Sequence, residues 1–99
     1  MYEKSDKRRL YWLIDQYLSS RIDERTFCDE FYYSYDLEIN NETLTGLEQQ
    51  TFAALSKVAS RFSQYEADHQ LDAKAFSTVQ ELQQKIIETK EKLRGQSQI

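Results

Sequence analysis

Apolar residues recur along the chain at helical spacing, in four blocks separated by polar breaks. In the first block Leu10, Ile14 and Tyr17 stand at i, i+4 and i+7, and Leu13 and Leu18 widen the stripe. That spacing lines one face of an α-helix. Ser5 or Asp6 can cap it, so the pattern predicts a helix over 6–19. Arg21-Ile22-Asp23 forms a break, and Asp23 can cap the next helix. In the second block, predicted helical over 24–36, Phe27, Phe31 and Tyr35 share one face, flanked by Cys28 and Ser34. Asp29, Tyr33 and Asp36 share the opposite face, with Tyr32 at the border.

Leu37 to Leu44 has no clear period and holds the turn pair Asn40-Asn41. Thr45-Gly46-Leu47-Glu48 then fits the S/T-x-x-E capping box, opening a helix over 46–63. Its expected inner stripe is Leu47, Thr51, Leu55, Val58 and Phe62, with Ala54 and Ala59 beside it. After the polar connection Gln64 to Gln70, Asp72 can cap a last helix over 73–93. Ala75, Val79, Leu82, Ile86 and Leu93 form its stripe. Lys90, Lys92 and Arg94 complement the dipole at its C-terminal end, and Gly95 stops it. Four such helices predict one all-α domain over 1–99, an antiparallel four-helix bundle.

Composition supports that class. The chain has no proline and two glycines, whereas a β-sandwich needs turn residues at short intervals. The longest apolar run, Leu10 to Ile14, is too short to cross a bilayer. The start, Met1 to Lys7, lacks an apolar signal region, and Cys28 is the single cysteine, so no internal disulfide can form. The expectation is a soluble cytoplasmic protein without a membrane partner, monomeric or weakly dimeric when alone.

Catalytic chemistry finds little support. His69 could bind a metal with Asp72 or act as a base beside Asp68, but it lacks a second histidine or a nearby thiol. A solvated loop is the simpler reading. Cys28 borders an apolar stripe and is followed by Asp29 and Glu30, a poor setting for a nucleophile. No enzyme, cofactor or metal is expected. Lys4, Lys7, Arg8 and Arg9 precede Tyr11 and Trp12, which raises nucleic acid as a partner. The net charge of −4 argues against direct binding to phosphate. Trp12 falls opposite the first apolar stripe, so it either packs on the C-terminal segment or anchors a partner.

The charge is unevenly placed. From Thr26 to Ala73 nine acids face two bases, a local balance of −7. From Thr26 to Ser56 six acids face none. Such a block projects a negative potential that can steer a cationic partner. Exposed tyrosine within it would supply contact area at low entropic cost. The candidate contacts are Asp29, Glu30, Tyr32, Tyr33, Asp36, Glu38 and Glu42, followed by Glu66 and Asp68. The plainer alternative is a face of carboxylates that only keeps the protein soluble.

Leu13-Ile14-Asp15-Gln16-Tyr17-Leu18-Ser19-Ser20-Arg21-Ile22, followed by Phe27 and Phe31, resembles the opening of colicin D-type immunity proteins. So does Thr51-Phe52-Ala53-Ala54-Leu55-Ser56-Lys57-Val58-Ala59-Ser60-Arg61-Phe62, followed by an acidic loop and a last helix. Ser63-Gln64-Tyr65 departs from the proline that members carry after Arg-Phe. The resemblance implies a small helical cytoplasmic protein that neutralises a toxic nuclease domain, often one cleaving tRNA. Related immunity proteins accompany contact-dependent growth-inhibition toxins. A nuclease site is cationic because it binds phosphate, so an acidic helical surface could cover it. The alternative is an acidic helical adaptor or regulator of another basic protein, including a nucleic-acid-mimicking inhibitor.

Overall fold

Short polar side chains start the helices. In a computed structural model, which describes residues 3–62 and 77–94, Asp6 accepts the Arg8 amide at 2.9 Å and leads into α1, Arg8–Leu18. Ser20, at φ 63°, turns the chain out of α1. The Asp23 carboxylate accepts the Thr26 amide at 2.8 Å and opens α2, Glu24–Tyr32. Thr45 and Glu48 form the expected reciprocal capping box on α3, Gly46–Ser60. Thr78 and Glu81 form a second such box on α4, Val79–Lys92. These four α-helices, with two short helical turns between α2 and α3, make the described residues all-helical. The β-type pairing among them is a bridge between Phe62 and Ser77.

Helix α2 does not run to Asp36 as a single α-helix. It passes into a π-helical turn, π1, Tyr33–Glu38, in which the Ile39 amide reaches back five residues to the Ser34 carbonyl at 2.8 Å. The cause is legible in the residues. Phe27, Phe31 and Ser34 face the core, and an α-continuation would place the residue four beyond Ser34, Glu38, directly beneath them. The wider π turn brings Ile39 to that place instead, buried at 8% exposure, and turns Glu38 out to solvent. A short 3₁₀ turn, Asn41–Thr43, comes next, and buried Leu44 returns the chain to the core.

Helix α1 packs on α2 and α4, and α3 packs on α2 and α4. The centre is aromatic. Phe31 lies 5.6 Å from Phe27, 5.3 Å from Tyr35 and 6.2 Å from Phe52. Tyr11 meets Phe52 edge-on at 5.6 Å. Phe27, Phe31 and Phe52 are solvent-excluded, and each such ring stabilises the fold by about 1.5–3 kcal/mol.

The apolar stripe of α3 is rotated from its expected position, while that of α4 stands where expected except on its first turn. On α3 the buried residues are Glu48, Thr51, Phe52, Leu55 and Ala59, while Leu47 is exposed and Val58 only half-buried. The helix has turned by roughly 60°, taking about 100° per residue. That rotation carries the large Phe52 ring inward in exchange for Leu47. It also drives Glu48 into the core, which is possible because Lys7, Tyr11 and Thr45 satisfy its carboxylate. On α4 the buried positions are Leu82, Ile86 and Thr89, with Leu93 just beyond, and Val79 is exposed on the first turn. The Thr89 hydroxyl donates to the Lys85 carbonyl at 2.7 Å, so a polar residue fills the stripe without an unmet donor. Helix α4 begins at Val79 rather than near residue 73, and the expected Asp72 cap and Ala75 lie outside the described residues. Helix α3 ends at Ser60, short of 63, and Phe62 is half-buried.

Candidate interaction surface

The switch from α2 to π1 sorts the tyrosines of this segment. Tyr35 points inward, half-buried against Phe31 and Phe52, while Tyr32 and Tyr33 remain 46% and 48% exposed. Their rings meet edge-on at 5.8 Å. Asp29 lies one turn before Tyr33 on the outward face, and the wide π turn brings Leu37 one turn after it. Leu37 is 59% exposed, the most open of the large apolar side chains described. Tyr32 and Asp36 flank this line on one side and Glu38 on the other. Asp29, Asp36 and Glu38 are all exposed. The result is an apolar strip of Tyr32, Tyr33 and Leu37 framed by carboxylates.

The acids of this block do not act alike. Glu30 is half-buried and bonded to Arg9 of α1 at 2.8 Å, and the Arg9 guanidinium also lies 5.4 Å from the Trp12 ring. Trp12 is therefore half-buried, packed against the core and stacked under a cation from its own helix. Glu48 is solvent-excluded and takes the Lys7 ammonium at 3.1 Å and the Tyr11 hydroxyl. Among the described residues, the run of six acids that meets no base along the chain thus meets two in space, both from the N-terminal region around α1. Asp29, Asp36, Glu38 and Glu42 remain on the surface. Asp36 accepts a long hydrogen bond from the Ser56 hydroxyl at 3.5 Å. Glu42 sits on the separate 3₁₀ turn, beyond the helical strip. Glu66 and Asp68 lie outside the described residues, as does His69.

Burial would raise the Glu48 carboxyl, but the Thr45 amide, the Tyr11 hydroxyl and the Lys7 ammonium outweigh it and hold it below its ordinary value. Burial, reinforced by the same carboxylate, raises the Tyr11 hydroxyl. Both shifts describe a group of α1–α3 contacts that fixes the orientation of α3 under π1. The Ser34 hydroxyl, at the start of π1, is buried with no hydrogen-bond partner among the described residues, which costs polar satisfaction at that point.

Elsewhere the described residues offer weaker chemistry. The Cys28 thiol is half-buried and pushed up to about 12 by burial and by the Asp29 and Glu24 carboxylates. No group of three metal-ligating side chains converges among the described residues. A cleft of about 580 Å³ at the α1–α2 turn is lined by Tyr17, Arg21, Asp23, Glu24 and Gln83 among others, at the opposite end of α2 from π1. No helix among the described residues is long and apolar enough to cross a membrane.

Leu37 is the surface residue that periodicity missed. Its signal lay in the five-residue step from Ser34 to Ile39, the next residue able to fill the core position. Compared with protein-family models, curated proteins and solved structures, the chain matches none.

Proposed function

We propose that the chain is a toxin-neutralising immunity protein whose α2–π1 face docks on a basic protein. The partner is the catalytic domain of a bacterial nuclease, with a tRNA-cleaving ribonuclease as the form implied by the resemblance to colicin D-type immunity proteins. The four helices would close as an antiparallel bundle that holds this face rigid. The observation that carries the reading is the exposed strip of Tyr32, Tyr33 and Leu37 set among exposed Asp29, Asp36 and Glu38. Aromatic and apolar groups framed by carboxylates, with the Lys4 ammonium over the Tyr33 ring, suit an interface whose centre is desolvated and whose rim is polar.

The roles divide by exposure. Tyr33 and Leu37 would enter the desolvated centre, with Tyr32 beside them. Asp29, Asp36 and Glu38 would pair with lysines and arginines around the nuclease site, and Glu42 would extend the negative field. Glu30 supports the surface from below through Arg9 rather than meeting the partner. Glu66 and Asp68 enter only as sequence-based contacts. Carboxylates of one sign also accelerate encounter with a cationic surface, an effect that falls with added salt.

The test is capture of a basic partner on the immobilised protein, followed by an RNA-cleavage assay with and without the double variant Asp36→Lys/Glu38→Lys. Association at low salt should slow at least about tenfold and protection should be lost, with the helical circular dichroism unchanged. Undiminished inhibition by the double variant overturns the site assignment. A captured partner without nuclease activity would instead favour an adaptor or regulator on the same surface.

A further inference from the structure

We infer that the open face of the Tyr33 ring is a subsite for one arginine or lysine of the partner, and that Lys4 of this chain fills it beforehand. The inference rests on the docking surface proposed above and names the chemistry of its central contact. The Lys4 ammonium stands 5.2 Å from the centroid of the Tyr33 ring, within the range of a cation–π contact.

The neighbouring cations of the N-terminal region are held differently. Lys7, Arg8 and Arg9 are each locked to a carboxylate, at 3.1, 2.6 and 2.8 Å. Lys4 instead precedes α1 on an exposed turn and reaches across to a ring of α2–π1. A ring that draws a cation from its own chain will draw one from a partner. Tyr32 packs edge-on against Tyr33 at 5.8 Å, on the same exposed surface. Asp29 lies one turn before Tyr33 and Asp36 three residues after it, so a cation on the ring has carboxylates on both sides.

The incoming group must displace Lys4. Arginine is the better competitor, since its planar guanidinium stacks on the ring while its donors reach the flanking carboxylates. The N-terminal turn therefore lowers affinity for weakly basic surfaces and yields to a well-placed arginine. An exposed contact of this kind is worth about two- to fivefold in affinity.

The test uses the full chain and a hexa-arginine peptide at low salt, with binding followed by calorimetry and by the Tyr33 ring signals in NMR. Lys4→Ala is compared with Lys92→Ala, a change of equal charge on the last turn of α4. Lys4→Ala should bind about two- to fivefold more tightly than Lys92→Ala, and that advantage should vanish in a Tyr33→Leu background. Equal binding by the two lysine variants, or an advantage that survives Tyr33→Leu, overturns the subsite. If Asp36→Lys/Glu38→Lys binds the peptide normally while the Lys4–Tyr33 coupling persists, the docking reading fails and the subsite stands. Absence of binding by every variant overturns both.

Discussion

The buried carboxylate of Glu48 gives the sharpest test of how this fold is held together. Its side chain is solvent-excluded and accepts from the Lys7 ammonium at 3.1 Å, the Thr45 amide at 2.8 Å and the Tyr11 hydroxyl. Glu48→Gln keeps the shape and one carbonyl oxygen, enough for the Thr45 amide, but turns the second acceptor into a donor. Thr45 and Lys7 share Oε1, so it is the Tyr11 hydroxyl, on Oε2, that then faces an N–H instead of a carboxylate, and Lys7 loses the charge of its partner. Losing a hydrogen bond to a charged acceptor in a dry site costs about 1.5–3 kcal/mol. Breaking a fully buried ion pair costs about 3–5 kcal/mol, but the Lys7 side chain is 27% exposed and can turn to water. The expected loss is therefore about 2–3 kcal/mol, a large share of the ~5–15 kcal/mol that holds a domain folded. At roughly 4–8 °C per kcal/mol, Tm should fall by about 10–20 °C.

The pH dependence gives an independent check. The folded-state pKa of Glu48 is depressed below its ordinary 4.5, so its stabilisation is fully present above that value. It is lost as pH falls through the folded pKa. Urea unfolding of wild type and Glu48→Gln, followed by circular dichroism, should show the full gap at pH 7 and a shrinking gap below the ordinary value. A gap under about 0.5 kcal/mol at pH 7, or one that stays constant into acid, refutes the assignment of Glu48 as a charged, satisfied group in the core.

Two further outcomes test the local structure. Exchanging the residues at 38 and 39, as Glu38→Ile with Ile39→Glu, puts the apolar side chain four residues after Ser34 and should relax π1 to an α-turn. Hydrogen-bond couplings in NMR should then connect the Ser34 carbonyl to the amide at 38, while Ile39→Ala alone costs about 2–4 kcal/mol. Retention of the five-residue bond in the exchanged protein refutes the account of the π turn. The Cys28 thiol, pushed up to about 12, should alkylate at pH 8 on the order of 100- to 1,000-fold more slowly in the native protein than in urea. Comparable rates would show that its surroundings are wetter or less acidic than described.

Local chemistry was readable residue by residue. Asp23 and Thr45 cap the helices they precede because a short side-chain oxygen needs only the next turn's amides. The apolar blocks around Leu10, Phe27 and Leu55 announced helices because burial of one face requires that spacing. The split of Tyr33 outward and Tyr35 inward was likewise visible on a helical wheel.

Three features required the assembled structure. The rotation of α3 depends on whether Lys7 and Tyr11 stand opposite Glu48, a pairing across 41 and 37 residues that no window along α3 contains. The length of the negative surface depends on Arg9 reaching Glu30 from another helix, so a block uniform in sequence is mixed in space. The π turn depends on the depth of the core beneath Ser34, which decides that Ile39 rather than Glu38 must fill it. The sequence by itself determined which segments coil and, for α2 and α3, where they start, because caps and periodicity act within a turn or two. Only tertiary packing decided how far α3 rotates about its axis and which charges remain on the surface, because burial and ion pairing are settled between helices.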